Sequence, residues 1–409
     1  MTERPQGQGR WPSSRTRRRP STLFSALMLS SISVFPAFLI GAVSVQLRAD
    51  LGLDRAELGT AVSAFFISSA VTVATIGKVV DRIGERRSYL LGSGLALVSL
   101  LAIATIARSW LTLALSLAVG GIGNAVVGPA SSRILAHAID PMRRGWAFGV
   151  KQAAIMGATL LGGVAVPVVA LQYGWRWVYG LSALLAVVVM AMVPPDVRRP
   201  ILHGNGSRMS QRRITIVLLA IAFGLGTSAS VSMTTFLVDF TVLGGVSEAR
   251  AATLLAIGSV VVIVLRLLLG WWSDHGLIEV DRVIVGLFLL GAVAVGALPH
   301  VRGSSGVFVV SVLAFTGVWG WTGLLVYFVA VRNLQGTGAA AGILQTGAAT
   351  GGMLGPSAMG AIAERFSYLT MWSASSALLL LASIAVMMAR HTESGGEPVA
   401  AGSGEAADA

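Results

Sequence analysis

The chain has 409 residues, 55 % of them hydrophobic and only 12 % charged, with a net charge of +12 and no cysteine. A soluble domain of this length needs far more charge to cover its surface, so that class is excluded, as are a disulfide framework and a thiolate metal site. The positive charge does not mark a nucleic-acid binder, because the basic residues fringe apolar runs and form no folded basic domain.

Residues 1–20 are rich in Arg, Ser, Pro and Gly and carry six arginines, the composition of a disordered basic cytoplasmic N-terminus. Hydropathy then predicts twelve spans, at 22–45, 57–77, 88–107, 111–134, 146–171, 176–194, 214–240, 250–271, 282–299, 305–330, 337–362 and 368–389. A bilayer core of about 30 Å needs about 20 residues per helix. The first span follows a basic segment, as a signal peptide would. It is long enough to cross, no Ala-x-Ala-like site follows it, and it reads as helix 1. Residues 195–213, with Pro195, Pro200, Gly204 and Gly206, read as a cytoplasmic linker between six-helix bundles at 21–194 and 214–390. The tail 391–409 is small, polar and Gly-rich, and reads as disordered.

Lys and Arg set the orientation. With the N-terminus inside, the inner segments hold 20 basic residues and the outer ones seven. That bias places both termini in the cytoplasm of a cell with this chain in its inner membrane.

The halves are related by one offset of 193 residues. It pairs Gly77 and Asp81 with Gly270 and Asp274, Gly149 and Gln152 with Gly342 and Gln345, Gly162 with Gly355, and Gly52 with Gly245. A constant shift over three helices and their loops predicts an internal duplication, with a solute path between the repeats.

The loop after helix 2 reads Gly77-Lys-Val-Val-Asp81-Arg82-Ile-Gly84-Glu85-Arg86-Arg87. It resembles the loop signature of the major facilitator superfamily, Gly-x-x-x-Asp-Arg/Lys-x-Gly-x-Arg/Lys-Arg/Lys. The resemblance extends over essentially the whole chain, with Gly270 to Asp274 as a degenerate second copy. It implies an all-α membrane protein of two pseudo-symmetric six-helix bundles and a secondary transporter working by alternating access. It also implies a latch between halves at Gly77, Asp81, Arg82, Gly84, Arg86, Arg87 and Asp274; Arg133, at the end of helix 4, reads as snorkelling to the interface or bracing that latch. Proton-driven drug exporters of the superfamily carry an arginine four residues before a Gly-x-Gly pair in helix 4. Here Leu117 precedes Gly121-Ile-Gly123, and the Gly-Pro pair expected in helix 5 stands in helix 11 as Gly355-Pro356. Drug export is therefore the rival reading, and a non-transporting receptor on the same scaffold a second.

Every carboxylate falls in a loop, a tail or a helix end, with Asp239 the deepest. The charges inside spans are Arg133, Lys151 and Arg266. A buried cation is costly without a partner, so an anionic substrate is the expected partner for Lys151 and Arg266. Arg266 also resembles the helix-8 arginine of the monocarboxylate transporters of that superfamily. Gln152, Gln345 and Asn124 are candidate hydrogen-bonding residues of the cavity, and Trp319, Trp321, Tyr327, Phe35 and Phe38 candidate wall residues. The expected substrate is a small organic anion, such as a monocarboxylate, with a proton as coupling ion and the chain as a monomer. No P-loop, zinc motif or nucleophile elbow is present, so no cofactor, metal or enzymatic activity is expected.

Overall fold

The computed structural model describes residues 20–83, 85–138, 143–191, 213–333 and 337–394, all helix or short turn. Side chains are described over 27–73, 86–128, 143–191, 213–303, 305–333 and 340–392. The first half holds α1 (Pro20–Leu51), α2 (Arg55–Ile83), α3 (Glu85–Thr105) and α4 (Trp110–Ala138). It continues with α5 (Arg144–Ala165), prolonged by a π-turn at Val166–Ala170 and a last turn at Leu171–Tyr173, and α6 (Trp175–Ala191). The second half holds α7 (Arg213–Leu243), α8 (Glu248–Asp274) and α9 (Val280–Ala297). Then come α10, in two pieces at Ser304–Gly320 and Thr322–Arg332, α11 (Thr337–Arg365) and α12 (Tyr368–Ser394). The predicted linker lies almost wholly outside the described residues, as do residues 1–19 and 395–409.

Among the described residues, ten helices are long and apolar enough to cross a membrane, and the shorter α6 is also apolar. In lipid every backbone polar group must be satisfied within the protein, which helices achieve on their own. The outward faces carry large apolar side chains: Val293 is 72 % exposed, Val71 64 % and Trp177 60 %. Such a belt is stable only against lipid. α11 falls short of the hydropathy of the others because it is made largely of Gly, Ala, Ser and Thr. Its place in the fold explains this composition.

The duplication is written into the backbone. Gly52, at the α1–α2 turn, has φ +65°, and Gly245, its counterpart at the α7–α8 turn, has φ +87°. Both lie in the left-handed region that favours glycine. Across the halves α2 packs on α11, α5 on α8 and α1 on α7. The repeat shift converts the first of these pairs into the second, as a pseudo-two-fold axis requires.

These cross-half contacts are backbone to backbone. A Cβ placed on Gly59 would lie 2.1 Å from the Pro356 carbonyl oxygen, and one on Gly163 would lie 2.6 Å from that of Ala252. At the α1–α7 crossing a Cβ on Gly41 would lie 1.8 Å from the Thr234 carbonyl oxygen. Lipid supplies no hydrophobic drive between helices, so close van der Waals contact through small residues takes its place. α11 is poor in large residues because it meets α2 on one side and α7 on another, through Gly347, Gly351 and Gly355. Gly41→Ala should destabilise this packing by about 1–3 kcal/mol, seen as a lower thermal midpoint of the purified protein. Gly180→Ala, with nothing within 4 Å of the added methyl, should leave the midpoint unchanged.

Candidate functional site

On the seam, in the half of α8 nearer Asp274, stands Arg266, which is 2 % exposed. α10 is interrupted at Trp321, and Arg266 is bound to the carbonyl at that interruption. Its Nε donates to the Trp319 carbonyl at 3.0 Å and its Nη2 donates to the same oxygen at 2.6 Å. Nη2 also donates to Thr322 Oγ1, and Nη1 donates across the seam to the Gln152 carbonyl of α5. Among the described residues no carboxylate pairs with it. The guanidinium is thus held by neutral acceptors, through four hydrogen bonds that leave its charge without a compensating carboxylate.

Next to Arg266 the helices touch through glycines. Gly149 meets the Arg266 carbonyl and Gly145 meets Gly270, each at 2.6 Å from a would-be Cβ. One turn further, the Asp274 carboxylate accepts the backbone N–H groups of Gly145 at 2.6 Å and Trp146 at 2.8 Å. These are orphan donors of the first turn of α5, and a carboxylate there also meets the positive end of the helix dipole. Asp274, the degenerate member of the repeated loop, therefore ties α8 of one half to α5 of the other.

The opposite end of the seam is tied by an ionic cluster. Asp239 of α7, 5 % exposed, accepts from Arg48 of α1 at 2.6 Å, from Arg55 of α2 at 3.3 Å and from the Tyr368 hydroxyl. Arg55 also pairs with Glu364 of α11 at 3.2 Å and lies 5.0 Å from the centre of the Tyr368 ring. Both cations come from the first half and both anions from the second. Sequence reasoning placed Asp239 deepest among the carboxylates without assigning it a role. The available signal was that a carboxylate so deep needs cations, and Arg48 and Arg55 are outer-loop arginines near it.

The other expected site residues are dispersed. Trp319 is buried at the seam, its Nε1 donating to Thr234 Oγ1 at 3.0 Å and its ring 5.6 Å from Phe38 of the opposite half. Lys151 and Gln152 are half-buried on α5. Asn124 pins helices within the first half, accepting from Ser33 at 3.2 Å and donating to Ser69 at 3.1 Å. Trp321 is fully buried within the second half against Phe223 and Phe288, and Phe35 is likewise buried. Gln345 is exposed on α11. Tyr327 lines a separate cleft of ≈ 550 Å³ near the Asp274 end, with Glu279, Asp281, Arg332 and Arg390. Arg86 and Arg87 are exposed at the start of α3. Gly77 lies in α2, Gly84 lies outside the described residues, and the side chains of Asp81, Arg82 and Arg133 fall outside the described ones.

A family model described as Major Facilitator Superfamily matches residues 22–356. The chain belongs to the Major Facilitator Superfamily. It is therefore a multi-pass membrane transport protein of that fold and not an enzyme. Among curated relatives it is 29 % identical over 202 residues to a multidrug resistance protein B homolog of Mycobacterium tuberculosis, matching 46 % of this chain and 36 % of the relative. It is 27 % identical over 277 residues to a gallate transporter of Pseudomonas putida, covering 64 % of this chain and 61 % of the relative. It is 24 % identical over 196 residues to a tetracenomycin C resistance and export protein of Streptomyces glaucescens, covering 46 % and 36 %. The chain thus spans from about a third to three fifths of the length of these relatives.

In this major facilitator the Asp274 tie is a helix cap supplied across the seam. Asp274→Ala should cost about 1 kcal/mol of local stability at the first turn of α5. The check is hydrogen exchange over residues 144–149, where amides should exchange about fivefold faster than in the parent.

Proposed function

We propose that this major facilitator moves a small organic anion, such as a monocarboxylate, by alternating access with a proton as coupling ion. The observation that carries the reading is Arg266, a seam guanidinium bound to carbonyl and hydroxyl oxygens with no carboxylate partner among the described residues. Its bond to Gln152 crosses the halves, so parting of α5 and α8 at this point frees Nη1. An arriving carboxylate replaces that carbonyl with a charge-assisted bond, which is stronger than the bond it displaces. The substrate then stabilises whichever state offers the freed guanidinium, as differential affinity requires. Lys151, one residue from Gln152 and half-buried, adds a second cation on the facing half. The relative with the longest aligned stretch of the three is named for gallate, an aromatic carboxylate.

The 20-to-7 basic bias supports an inner-membrane location with both termini cytoplasmic, so that the Asp274 end faces the cytoplasm and the Asp239 end faces outward. The latch role of the 77–87 loop and a monomeric state belong to the same reading. A second reading, export of apolar compounds, is favoured by the Phe38–Trp319 contact across the seam and by the two relatives named for drug resistance and export.

Proteoliposomes separate the two readings. Radiolabelled small carboxylates should accumulate under an inward proton gradient, and organic cations should not. Lys151→Gln and Arg266→Gln, inserted normally, should each lower carboxylate uptake more than about tenfold, as loss of a charge-assisted bond implies. Uptake at parental rates in both variants would remove these residues from the pathway.

A further inference from the structure

Two contacts of the seam meet at Trp319 and Arg266. The Gln152 carbonyl of α5 accepts from Arg266 Nη1. The Phe38 ring of α1 lies against the Trp319 indole, with centroids 5.6 Å apart and planes inclined at 49°. That separation is in the range of favourable aromatic pairs. On the second half the two recipients are neighbours, the Arg266 guanidinium carbon lying 5.7 Å from the centre of the Trp319 ring. A cation so close to an indole is attracted by the ring itself.

Both recipients are fixed by their own half. Trp319 Nε1 donates to Thr234 Oγ1 of α7 at 3.0 Å. Arg266 Nε and Nη2 are held by the Trp319 carbonyl, and Nη2 also by Thr322 Oγ1. Phe38 and Gln152 both belong to the first half, so one parting of the halves removes them together. The second half then keeps a preformed corner. Its indole has lost a ring neighbour and its guanidinium has lost one acceptor.

We infer that the transported anion is an aromatic carboxylate, seated with its ring on Trp319 in place of Phe38 and its carboxylate on Arg266 in place of the Gln152 carbonyl. One ligand of this class, with the ring joined to the carboxyl directly or by a short linker, reproduces both lost contacts. An aliphatic carboxylate serves Arg266 and leaves the indole face without an aromatic partner. A neutral aromatic serves Trp319 and leaves the guanidinium without a charge-assisted bond. Because the corner is held in place before the ligand arrives, little ordering opposes binding. The guanidinium and the aromatic contact, which taken singly favour different substrates, are thereby served by one.

This inference rests on the anion reading and narrows it. The full-length chain in lipid nanodiscs is titrated at neutral pH with radiolabelled benzoate and, separately, acetate. Benzoate is then displaced by cyclohexanecarboxylate, which has the charge and a ring but no π face, and by benzamide, which has the aromatic ring but no charge. Benzoate should bind about two- to tenfold more tightly than cyclohexanecarboxylate, the worth of an aromatic contact beyond its area. It should bind more than about tenfold more tightly than benzamide. Trp319→Leu should erase the preference for benzoate over cyclohexanecarboxylate, and Trp319→Phe should keep it. Phe38→Leu should keep it and bind benzoate about twofold or more tightly than the parent, since the competing ring is gone. Equal binding of benzoate and cyclohexanecarboxylate, or binding of acetate without benzoate, overturns the inference and leaves the anion reading standing. Benzamide binding as tightly as benzoate, or no binding of either carboxylate, removes both. A preference that survives Trp319→Leu overturns the inference, as does its loss in Phe38→Leu should Trp319→Leu fail to insert.

Discussion

Three helix pairs that touch backbone to backbone hold this transporter together across its seam. α2 lies on α11, α5 on α8 and α1 on α7 because glycine stands where any larger residue would collide with a carbonyl. In water such a join could rest on burying Leu and Phe. In lipid that drive is lost, since the tails are as apolar as the side chains. The glycines leave the seam with close contacts, a few hydrogen bonds and little interlocking of side chains. Rigid halves able to part and rejoin need a join of that kind, since interlocked side chains resist sliding.

Polar ties are confined to particular levels of the seam. The Asp239 cluster spans one end, the Asp274 cap spans α5 and α8 near the other, and Arg266 spans a level between them, nearer the cap. Each joins a group from one half to a group from the other. Their chemistry differs with depth. Near the Asp239 end, four charges of both signs form a neutral set. Nearer the Asp274 cap a single guanidinium is held by carbonyls. Removing one partner of a buried ion pair typically costs 3–5 kcal/mol, whereas carbonyl acceptors are readily exchanged for a better one.

Much of the fold was legible in the sequence because span hydropathy and a constant offset are one-dimensional signals. Gly52 and Gly245 were matched by spacing alone, and both adopt the same left-handed turn. Gly270 and Asp274 were visible as a degenerate motif, and their meeting with α5 follows from the loop they occupy. The site was less legible. Arg266 stood out because a cation in a span is rare, yet its partners are the backbone carbonyls of Trp319 on α10 and Gln152 on α5 and the Thr322 hydroxyl, and no residue type marks a carbonyl as an acceptor. Trp321 and Tyr327 belong to the same aromatic-rich stretch as Trp319, but helical rotation sends Trp321 into the core and Tyr327 to another cleft. Asp239 required knowledge of which outer arginines come near it, and that depends on how the halves dock.

On the proposed alternating-access reading, the α2–α11 contact opens and closes during transport. Ser63 of α2 and Ser357 of α11 face each other there, oxygen to oxygen at 2.6 Å. Ser63→Cys together with Ser357→Cys places the chain's two thiols at that point, since the parent has none. Transport measured in proteoliposomes before oxidation, after it and after reduction tests the claim. Crosslinked protein should be inactive and regain its rate on reduction, whereas full transport with the bond in place would show that the halves do not part there.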